Sequence, residues 1–413
     1  MQDIYKLIDD INLQKLDQLD SRVQDALQTD NDDALFILGE TLYQYGLTPQ
    51  GLEVFRTLYT KYPDESEILI YFIDGLISEN KTDEALERLN EVEISTERLL
   101  LEADLYQQIN MIDVAVDKIE QALEISPSDP IIHFALAELL YYDGQYLRAS
   151  REYDIVLETG EYEFNGINLF SRLGDSSLQS GNYSDALKWF DEISDDEMKS
   201  DDYLKKAVAY EKNDLTHEAI KIIRTLLNKD PDFIQGYFYL QQLYENEKDY
   251  PNAIEIGEEG LKLNQFYKEL MYSTGALMIE HGDQNEAVRL LQQALEVDPS
   301  YQEPLLMLAD FYRNEHDYHA LIGLVQYVEE EDMDPKFMWQ LAYALGEEER
   351  DKEALHFYNL AFELLTNDID FLKDYYYYLI ELGQVNDAKP ILSKLLELDS
   401  TNAEWQEEQI RLL

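Results

Sequence analysis

The side chains of this sequence that could carry chemistry are mainly carboxylates, together with six histidines. His316 and His319, in the segment HDYH, could share one helix face, but two nitrogens alone make a poor metal site. The segment TDNDDALFILGE, from Thr29, has alternating acids and a glutamate at its end, as a calcium-binding loop does. It lacks the glycine that permits the sharp turn of such a loop. We therefore expect no metal and no other cofactor.

Motifs typical of enzyme active sites are absent from the sequence. There is no G-x-x-x-x-G-K-[ST] phosphate loop, no G-x-S-x-G nucleophile elbow and no H-E-x-x-H helix. The cysteine count of 0 excludes a thiol nucleophile, a disulfide framework and a cysteine-based zinc site. Carboxylates are too numerous for any pair to be assigned as general acid and base. We expect a protein that is not an enzyme.

The charge balance indicates the kind of partner. The 413 residues include 87 acidic and 32 basic side chains, a formal net charge of −55. Such a chain repels nucleic acid and anionic membranes and attracts basic proteins, basic peptides or cations. The alternative interpretation is that the acids only keep an elongated surface soluble. No stretch approaches the ~18 apolar residues of a membrane span, and the acidic start MQDIYKLIDDINLQ is unlike a signal peptide, so we expect a cytoplasmic protein.

The sequence repeats a similar segment at a fixed period. DVAVDKIEQALEISPSDP, from Asp113, matches NEAVRLLQQALEVDPSYQEP, from Asn285, and HEAIKIIRTLLNKDPDF, from His217, matches both. A spacing of 34 residues separates Ala115 from Ala149, and the same spacing recurs between later alanines. A period of this length is typical of stacked helical repeats.

The repeat resembles the tetratricopeptide repeat, in which W-x2-L-G-x2-Y is followed by A-x3-F-x2-A and P. Repeat starts fall near residues 32, 66, 96, 130, 167, 200, 234, 268, 302, 335 and 369, with small residues at positions 8 and 20 of most repeats. The resemblance implies an all-α fold, a right-handed superhelical solenoid of about eleven helix hairpins. The acid-rich, cysteine-free composition is similar to that of cytoplasmic tetratricopeptide repeat proteins from low-GC Gram-positive bacteria.

Irregularities in the repeat set the expected boundaries. The repeat from 66 is short, the link GEYEFNG (160–166) carries extra residues, and EEEDMDP (329–335) lacks an apolar helix end, so each is a candidate hinge. We divide the chain into a degenerate N-terminal hairpin (1–31), an N-terminal array (32–163), a C-terminal array continuing the same solenoid (164–402) and a capping helix (403–413).

The resemblance also implies a binding groove. In tetratricopeptide proteins the first helix of each hairpin lines a concave surface, and ligand contacts cluster at repeat positions 2, 5, 9, 12 and 13. Here position 9 is often a carboxylate, and position 5 is apolar or aromatic. The predicted groove residues are Phe36, Glu40, Tyr43, Ile70, Asp74, Leu100, Asp104, Phe134, Glu138, Tyr141, Asp175, Phe238, Tyr272, Asp310, Trp339, Tyr343 and Tyr377.

A ladder of carboxylates beside a ladder of rings suits a basic, partly hydrophobic partner segment, and residues 32–180 are the expected contact region. The carboxylate clamp known in this family is not expected, because its basic positions hold mostly acids here. The only cations at those positions are Lys212, Arg313, Lys336 and Lys373.

The tyrosine run DYYYYLIELG, from Asp374, divides among four environments in this register. Tyr375 is expected in the core, Tyr376 at the small-residue position 8, and Tyr377 in the groove. Tyr378 is expected to pack beside a neighbouring repeat or the terminal cap. The run is therefore not one aromatic surface.

These patterns predict a scaffold or adaptor that binds another protein or peptide. Two alternatives stay open: a co-chaperone or holdase for unfolded clients, and a self-assembling scaffold such as a homodimer. A DNA-binding regulator is not expected, because the residues before the first repeat are too few and too acidic for a helix-turn-helix module.

Overall fold

The computed structural model describes residues 2–29 and 31–412, and it is built from helices. They form two compact units, Met1–Asp214 (unit 1) and Leu215–Leu413 (unit 2). Unit 1 contains α1 (Gln2–Asn12), α2 (Leu19–Leu27), α3 (Asp32–Gln44), α4 (Thr48–Lys61), α5 (Ser66–Ser78), α6 (Thr82–Leu89), α7 (Thr96–Gln108), α8 (Ile112–Ile125), α9 (Pro130–Tyr142), α10 (Tyr146–Leu157), β1 (Glu163–Phe164), β2 (Ile167–Asn168), α11 (Leu169–Gln179), α12 (Tyr183–Asp191) and α13 (Ser200–Lys212).

Unit 2 continues the same alternation of helices and short turns. It contains α14 (Thr216–Lys229), α15 (Ile234–Asn246), α16 (Tyr250–Leu263), α17 (Lys268–His281), α18 (Gln284–Val297), α19 (Gln302–Asn314), α20 (Tyr318–Gly323), 3-10 turns at Leu324–Tyr327 and Glu330–Asp332, α21 (Pro335–Glu347), α22 (Asp351–Leu364), α23 (Ile369–Glu381), α24 (Val385–Leu398) and α25 (Ala403–Arg411).

The odd-numbered helices from α3 to α23 are the A helices, and each predicted repeat start falls at the first residue of one, or two residues before it at α11. The turn after an A helix usually holds a residue with positive φ at repeat position 15. These residues are Gly46, Asn80, Asn110, Gly144, Gly181, Asp214, Lys248, His316, Glu349 and Gly383. The predicted all-α architecture of helix hairpins is confirmed.

Small residues hold the two helices of a hairpin close together, as the repeat pattern predicts. Ala115, Ala149 and Ala186, at repeat position 20 of the B helices, are fully buried in the core of unit 1. Bulky side chains at these points would push the A and B helices apart, since core packing leaves no room for extra volume.

The link with extra residues folds as a β-hairpin, which the sequence analysis did not predict. Glu163 pairs with Asn168 and Phe164 with Ile167. The turn residues Asn165 and Gly166 both have positive φ, as the tight two-residue hairpin turn requires. The second irregular link, 329–335, is also confirmed as a departure from the repeat, because α20 ends at Gly323 and 3-10 turns replace the rest of that helix.

The four tyrosines of the run occupy different environments, as the register predicts, and the place of Tyr377 in a binding groove stays a prediction. Tyr375 and Tyr376 are buried, and Tyr377 is 37% exposed. Tyr376 packs edge-on against Trp405 and donates to Glu408 at 2.8 Å, so it contacts the terminal helix α25. Tyr378 packs against Tyr358 of the preceding hairpin.

Candidate partner-binding surface

Acidic side chains at repeat position 9 follow a pairing rule across neighbouring A helices. In three cases in unit 1, a donor at position 6 of the next A helix bonds the position 9 carboxylate. Tyr71 donates to Glu40 at 2.7 Å, Arg172 to Glu138 and Lys205 to Asp175. The rule arises because successive A helices lie side by side, so these two positions face each other at each step.

Glu138 is neutralised within the protein. Arg172 binds both of its carboxylate oxygens at 2.9 Å, and Tyr153 also donates to it. The guanidinium lies 4.5 Å from the centre of the Tyr141 ring. Burial opposes the charge of Arg172, but the bonds to Glu138 outweigh it and raise the pKa of the guanidinium. Glu138 therefore presents little free charge to a partner.

Asp175 is neutralised in the same way and is buried, at 2% exposure. It accepts hydrogen bonds from Lys205 and Tyr141. Burial favours its neutral form, but the bonds from Lys205 and Tyr141 hold the pKa of this carboxyl below its ordinary value. Phe134 is also buried. These two predicted groove residues are therefore left out of the surface proposed below.

Asp74 and Asp104 break the pairing rule, and we call them the unpaired pair. The position 6 residues that face them are Leu101 and Ala135, which have no donor. Within residues 2–29 and 31–412, neither carboxylate has an ion pair or a side-chain hydrogen bond. Burial, and then repulsion from Asp104, raises the pKa of the half-buried Asp74. Asp104 is exposed at the surface, and partial desolvation by its neighbours raises its pKa as well. The missing donor and the raised pKa values both indicate carboxylates without a counter-charge.

Aromatic and aliphatic side chains flank the unpaired pair. Phe36 packs edge-on against Tyr71 at 5.3 Å between ring centres, and the bond to Glu40, with burial, raises the pKa of Tyr71 to about 12. Tyr43 donates to the backbone oxygen of Tyr71 at 3.1 Å. The predicted contacts Ile70 and Leu100 are half-buried. We call the surface formed by Phe36, Glu40, Ile70, Asp74, Leu100 and Asp104 the α3–α7 face.

The predicted groove residues of unit 2 lie on its A helices. Phe238 and Tyr272 pack edge-on against Tyr267 and Tyr301, respectively. Asp310 is exposed and accepts a hydrogen bond from Gln340, which is again a position 6 donor. Trp339 donates to Asp374 at 3.0 Å, and Tyr377 donates to Glu404 at 2.6 Å. The ring of Tyr343 is covered by Arg313, whose guanidinium carbon lies 4.1 Å from the ring centre.

The sequence analysis did not identify the internal donors Tyr71, Arg172 and Lys205. These donors could have been predicted from the sequence, because each occupies position 6 of its repeat once the repeat register is known. No group of three or more histidines, aspartates and glutamates in the described part of the chain is arranged to hold a metal ion. None of the described helices is long and apolar enough to cross a membrane.

The hairpin geometry, the repeat register and the A-helix surface define a tetratricopeptide repeat protein. A family model described as YpiA-like tetratricopeptide repeats matches residues 107–161, and one for YpiA-like C-terminal tetratricopeptide repeats matches residues 335–402. The TPR repeat-containing protein YpiA of Bacillus subtilis (strain 168) is 32% identical over 387 residues, covering 92% of this chain and 91% of that protein. The chain belongs to the YpiA-like family of tetratricopeptide repeat proteins.

Solved structures of other repeat proteins are more distant. The C-terminal part of a TPR repeat-containing protein from Cytophaga hutchinsonii is 18% identical with a TM-score of 0.46, covering 66% of this chain and 98% of that one. YrrB, described as a TPR protein with an unusual peptide-binding site, is 16% identical with a TM-score of 0.36, covering 45% of this chain and 95% of that one.

Proposed function

We propose that this protein is a non-enzymatic adaptor whose α3–α7 face binds a basic, partly hydrophobic segment of another protein. Tetratricopeptide repeat proteins are generally protein-interaction scaffolds. The observation that carries the proposal is the unpaired pair, because equivalent carboxylates at Glu138 and Asp175 have their own cations and this pair has none. A lysine or arginine of the partner would supply the missing counter-charge.

The surroundings of the unpaired pair favour a partner segment that is amphipathic as well as basic. Ile70 and Leu100 are half-buried side chains of the α3–α7 face, and the ring of Phe36 packs against Tyr71. Apolar side chains of the partner would cover them, and the stems of its lysines would pack along the same surface. Charge would then contribute mainly to the rate and selectivity of association, and apolar contact to the lifetime of the complex.

A binding titration with two designed peptides tests the proposal. One fluorescein-labelled peptide carries lysine and leucine in an amphipathic pattern, and the other replaces each lysine with glutamate. We expect the full chain to bind the lysine peptide, to reject the glutamate peptide and to lose affinity steeply as salt rises, because exposed charges are screened over ~10 Å at 0.1 M salt.

Matched variants locate the binding. Asp74→Asn with Asp104→Asn should weaken the lysine peptide at least tenfold. Glu53→Gln with Glu124→Gln removes the same charge from exposed positions on the B helices α4 and α8 and should leave the affinity unchanged. Equal losses in both double variants would show that only net charge matters and would refute a site on the α3–α7 face.

A further inference from the structure

A second acidic and aromatic site lies within unit 2. Helices α21, α22 and α23 enclose an open cavity of about 550 Å³, which is within the range of about 300–1,000 Å³ typical of ligand sites. We call it the tyrosine cavity, after its lining residues Tyr343, Tyr358, Tyr377 and Tyr378, which stand beside Glu347 and Glu381. It is separate from the α3–α7 face, which belongs to unit 1.

Two rings of the tyrosine cavity are held in place by contacts within the protein. Tyr378 donates to Asp351 at 3.0 Å, and its ring lies so close to Gly346 that a Cβ there would stand 2.8 Å from the ring. Tyr377 is held through its bond to Glu404. A ligand would therefore contact aromatic rings that are already ordered, so binding would not carry the entropy cost of ordering these side chains.

Tyr358 supplies a polar group inside the cavity that has no partner. Its side chain is 1% exposed, and its ring stacks on Tyr375 at 4.8 Å between ring centres. Among the residues that the structure describes, nothing makes a hydrogen bond with its hydroxyl. The hydroxyl oxygen is not one of the fully buried atoms that lack a partner, and Tyr358 lines the cavity, so its hydroxyl is suited to a group that a ligand brings.

The charge at the cavity selects a cation. Glu347 and Glu381 are exposed at its rim, and neither takes part in an ion pair within the described part of the chain. Anionic ligands would be repelled by both. Tyrosine faces attract cations as well, because the ring quadrupole is negative above the plane.

The protein's own Arg313 shows which cation fits this surface. Its guanidinium lies over the rings of Tyr343 at 4.1 Å and Trp339 at 5.2 Å, and it bonds Asp374 at 2.7 Å. Tyr343 and Asp374 also line the tyrosine cavity. A planar guanidinium combines ring stacking with forked carboxylate pairing, and the compact ammonium of lysine cannot do both.

We propose that the tyrosine cavity binds the side chain of an arginine of the basic partner. Its guanidinium stacks on the rings of Tyr377 and Tyr378, pairs with Glu347 and Glu381 and donates a hydrogen bond to the hydroxyl of Tyr358. The proposal rests on the proposed function, since it assigns a chemical identity to one basic residue of that partner.

Ligand-observed NMR titration of the full chain with acetyl-Gly-Arg-Gly-amide tests this assignment. The peptide with citrulline in place of arginine keeps the shape and loses the charge, and we expect it to bind at least tenfold more weakly. The lysine peptide should bind at least threefold more weakly than the arginine peptide. Equal binding of citrulline would overturn a charged site, and equal binding of lysine would overturn the guanidinium assignment.

Variants then connect the binding with the cavity. Glu347→Gln with Glu381→Gln should weaken the arginine peptide at least fivefold, and Tyr358→Phe should weaken it about threefold. Unchanged affinity in both would place the peptide elsewhere and refute the proposal. Asp74→Asn with Asp104→Asn should leave this peptide unaffected, so failure of the cavity and failure of the α3–α7 face give different results.

Two tyrosine variants distinguish a loss of binding from a loss of stability. Tyr358→Phe removes a hydroxyl without a partner, so its melting temperature should equal that of the parent. Tyr375→Phe removes a hydroxyl that donates to Asn359 at 2.8 Å, so it should lower the melting temperature and leave arginine binding intact. If Tyr358→Phe lowered the melting temperature as Tyr375→Phe does, the hydroxyl would have a structural partner and the assignment would fail.

Discussion

Ala135 is the residue whose replacement tests the pairing rule most directly. It stands at repeat position 6, where the next repeat has Arg172 bound to Glu138. Its side chain is half-buried beside the A helix that carries Asp104. The spacing between Asp104 and Ala135 is the same 31 residues that separates the bonded pair Glu40 and Tyr71. We expect Ala135→Arg to place a guanidinium on Asp104.

The structure sets the size of the effect. In the Glu138–Arg172 pair the side chains are 27% and 28% exposed, and a pair of this kind contributes about 0.5–1 kcal/mol to stability. Relief of the repulsion between Asp74 and Asp104 adds about 0.2–0.5 kcal/mol, and the lower helix propensity of arginine relative to alanine removes about 0.2 kcal/mol. The variant should therefore be more stable than the parent by about 1 kcal/mol.

Under the proposed function, the same substitution should weaken binding, because the new guanidinium would occupy the carboxylate proposed to bind the partner's cation. A loss of about 1.4 kcal/mol corresponds to tenfold lower affinity for the lysine peptide. Urea unfolding followed by circular dichroism measures the gain in stability, and fluorescence anisotropy measures the loss of affinity for the lysine peptide. Most damaging substitutions lower stability and binding together, so the opposite signs expected here are diagnostic.

Two controls define what would refute the reasoning. Ala135→Met adds a side chain of similar length without charge and should give neither effect. In the background of Asp104→Asn, Ala135→Arg should lose its stabilising effect, because the pair can no longer form. An arginine variant that matches the methionine variant in both assays would show that position 6 does not reach the position 9 carboxylate here.

Three further predictions follow from contacts in the two units. Arg172→Met should destabilise the chain by about 2 kcal/mol in urea unfolding, because it leaves the half-buried Glu138 without its counter-charge; the loss is smaller than the ~3–5 kcal/mol of a fully buried pair. The double variant Arg172→Met with Glu138→Met should recover most of the lost stability. Gly257→Ala should destabilise the protein by about 2 kcal/mol, because the new Cβ would lie 2.3 Å from the buried amide of Gln241. Gly323→Ala adds a Cβ with nothing within 4 Å and should stabilise the protein by up to about 1 kcal/mol. If both substitutions stabilised the protein, the predicted clash at Gly257 would be refuted. The folded state raises the pKa values of the unpaired pair above the ordinary 3.8, so the folded protein binds protons more readily than the unfolded chain. Replacing both carboxylates by asparagine should therefore stabilise the protein by about 0.2–0.5 kcal/mol at pH 7. This gain, together with lysine-peptide binding, should disappear as the pH falls through the raised pKa values towards 3.8, and a gain independent of pH would contradict the assignment.

The repeat register was predictable because helical periodicity and small residues at fixed positions are local signals. Ala115 and Ala149 mark the hairpins in the sequence and are buried in the structure. The burial of Tyr375 and the exposure of Tyr377 were predictable for the same reason, since the register decides which side of the helix each residue occupies. The β-hairpin at 163–168 was not predicted, although Asn165 and Gly166 form a recognised hairpin-turn sequence. The segment was interpreted only as extra residues between two helical repeats.

The state of each groove carboxylate could not be predicted from its own position. Asp104 and Asp175 both stand at position 9, yet the pKa of the first is raised and that of the second is lowered. The difference comes from the residue that faces each of them one repeat later, Ala135 or Lys205. A search of single repeats for binding residues treats the two aspartates as equal, and only a comparison between neighbouring repeats separates them.

Under the proposed function, this dependence would allow a chain with a net charge of −55 to be selective. Carboxylates alone mark no site, since 87 acidic residues are spread over the chain. Where the protein supplies its own guanidinium, as Arg172 does in unit 1 and Arg313 in unit 2, the acidic and aromatic position is already occupied. A partner's cations are therefore expected at carboxylates without an internal cation, which are the unpaired pair in unit 1 and Glu347 and Glu381 at the rim of the tyrosine cavity, rather than at Tyr343 and Asp374, which Arg313 occupies. We therefore expect recognition to be set by the few positions where the chain supplies no internal cation, which are the leucine and alanine that face the unpaired pair and the rim of the tyrosine cavity.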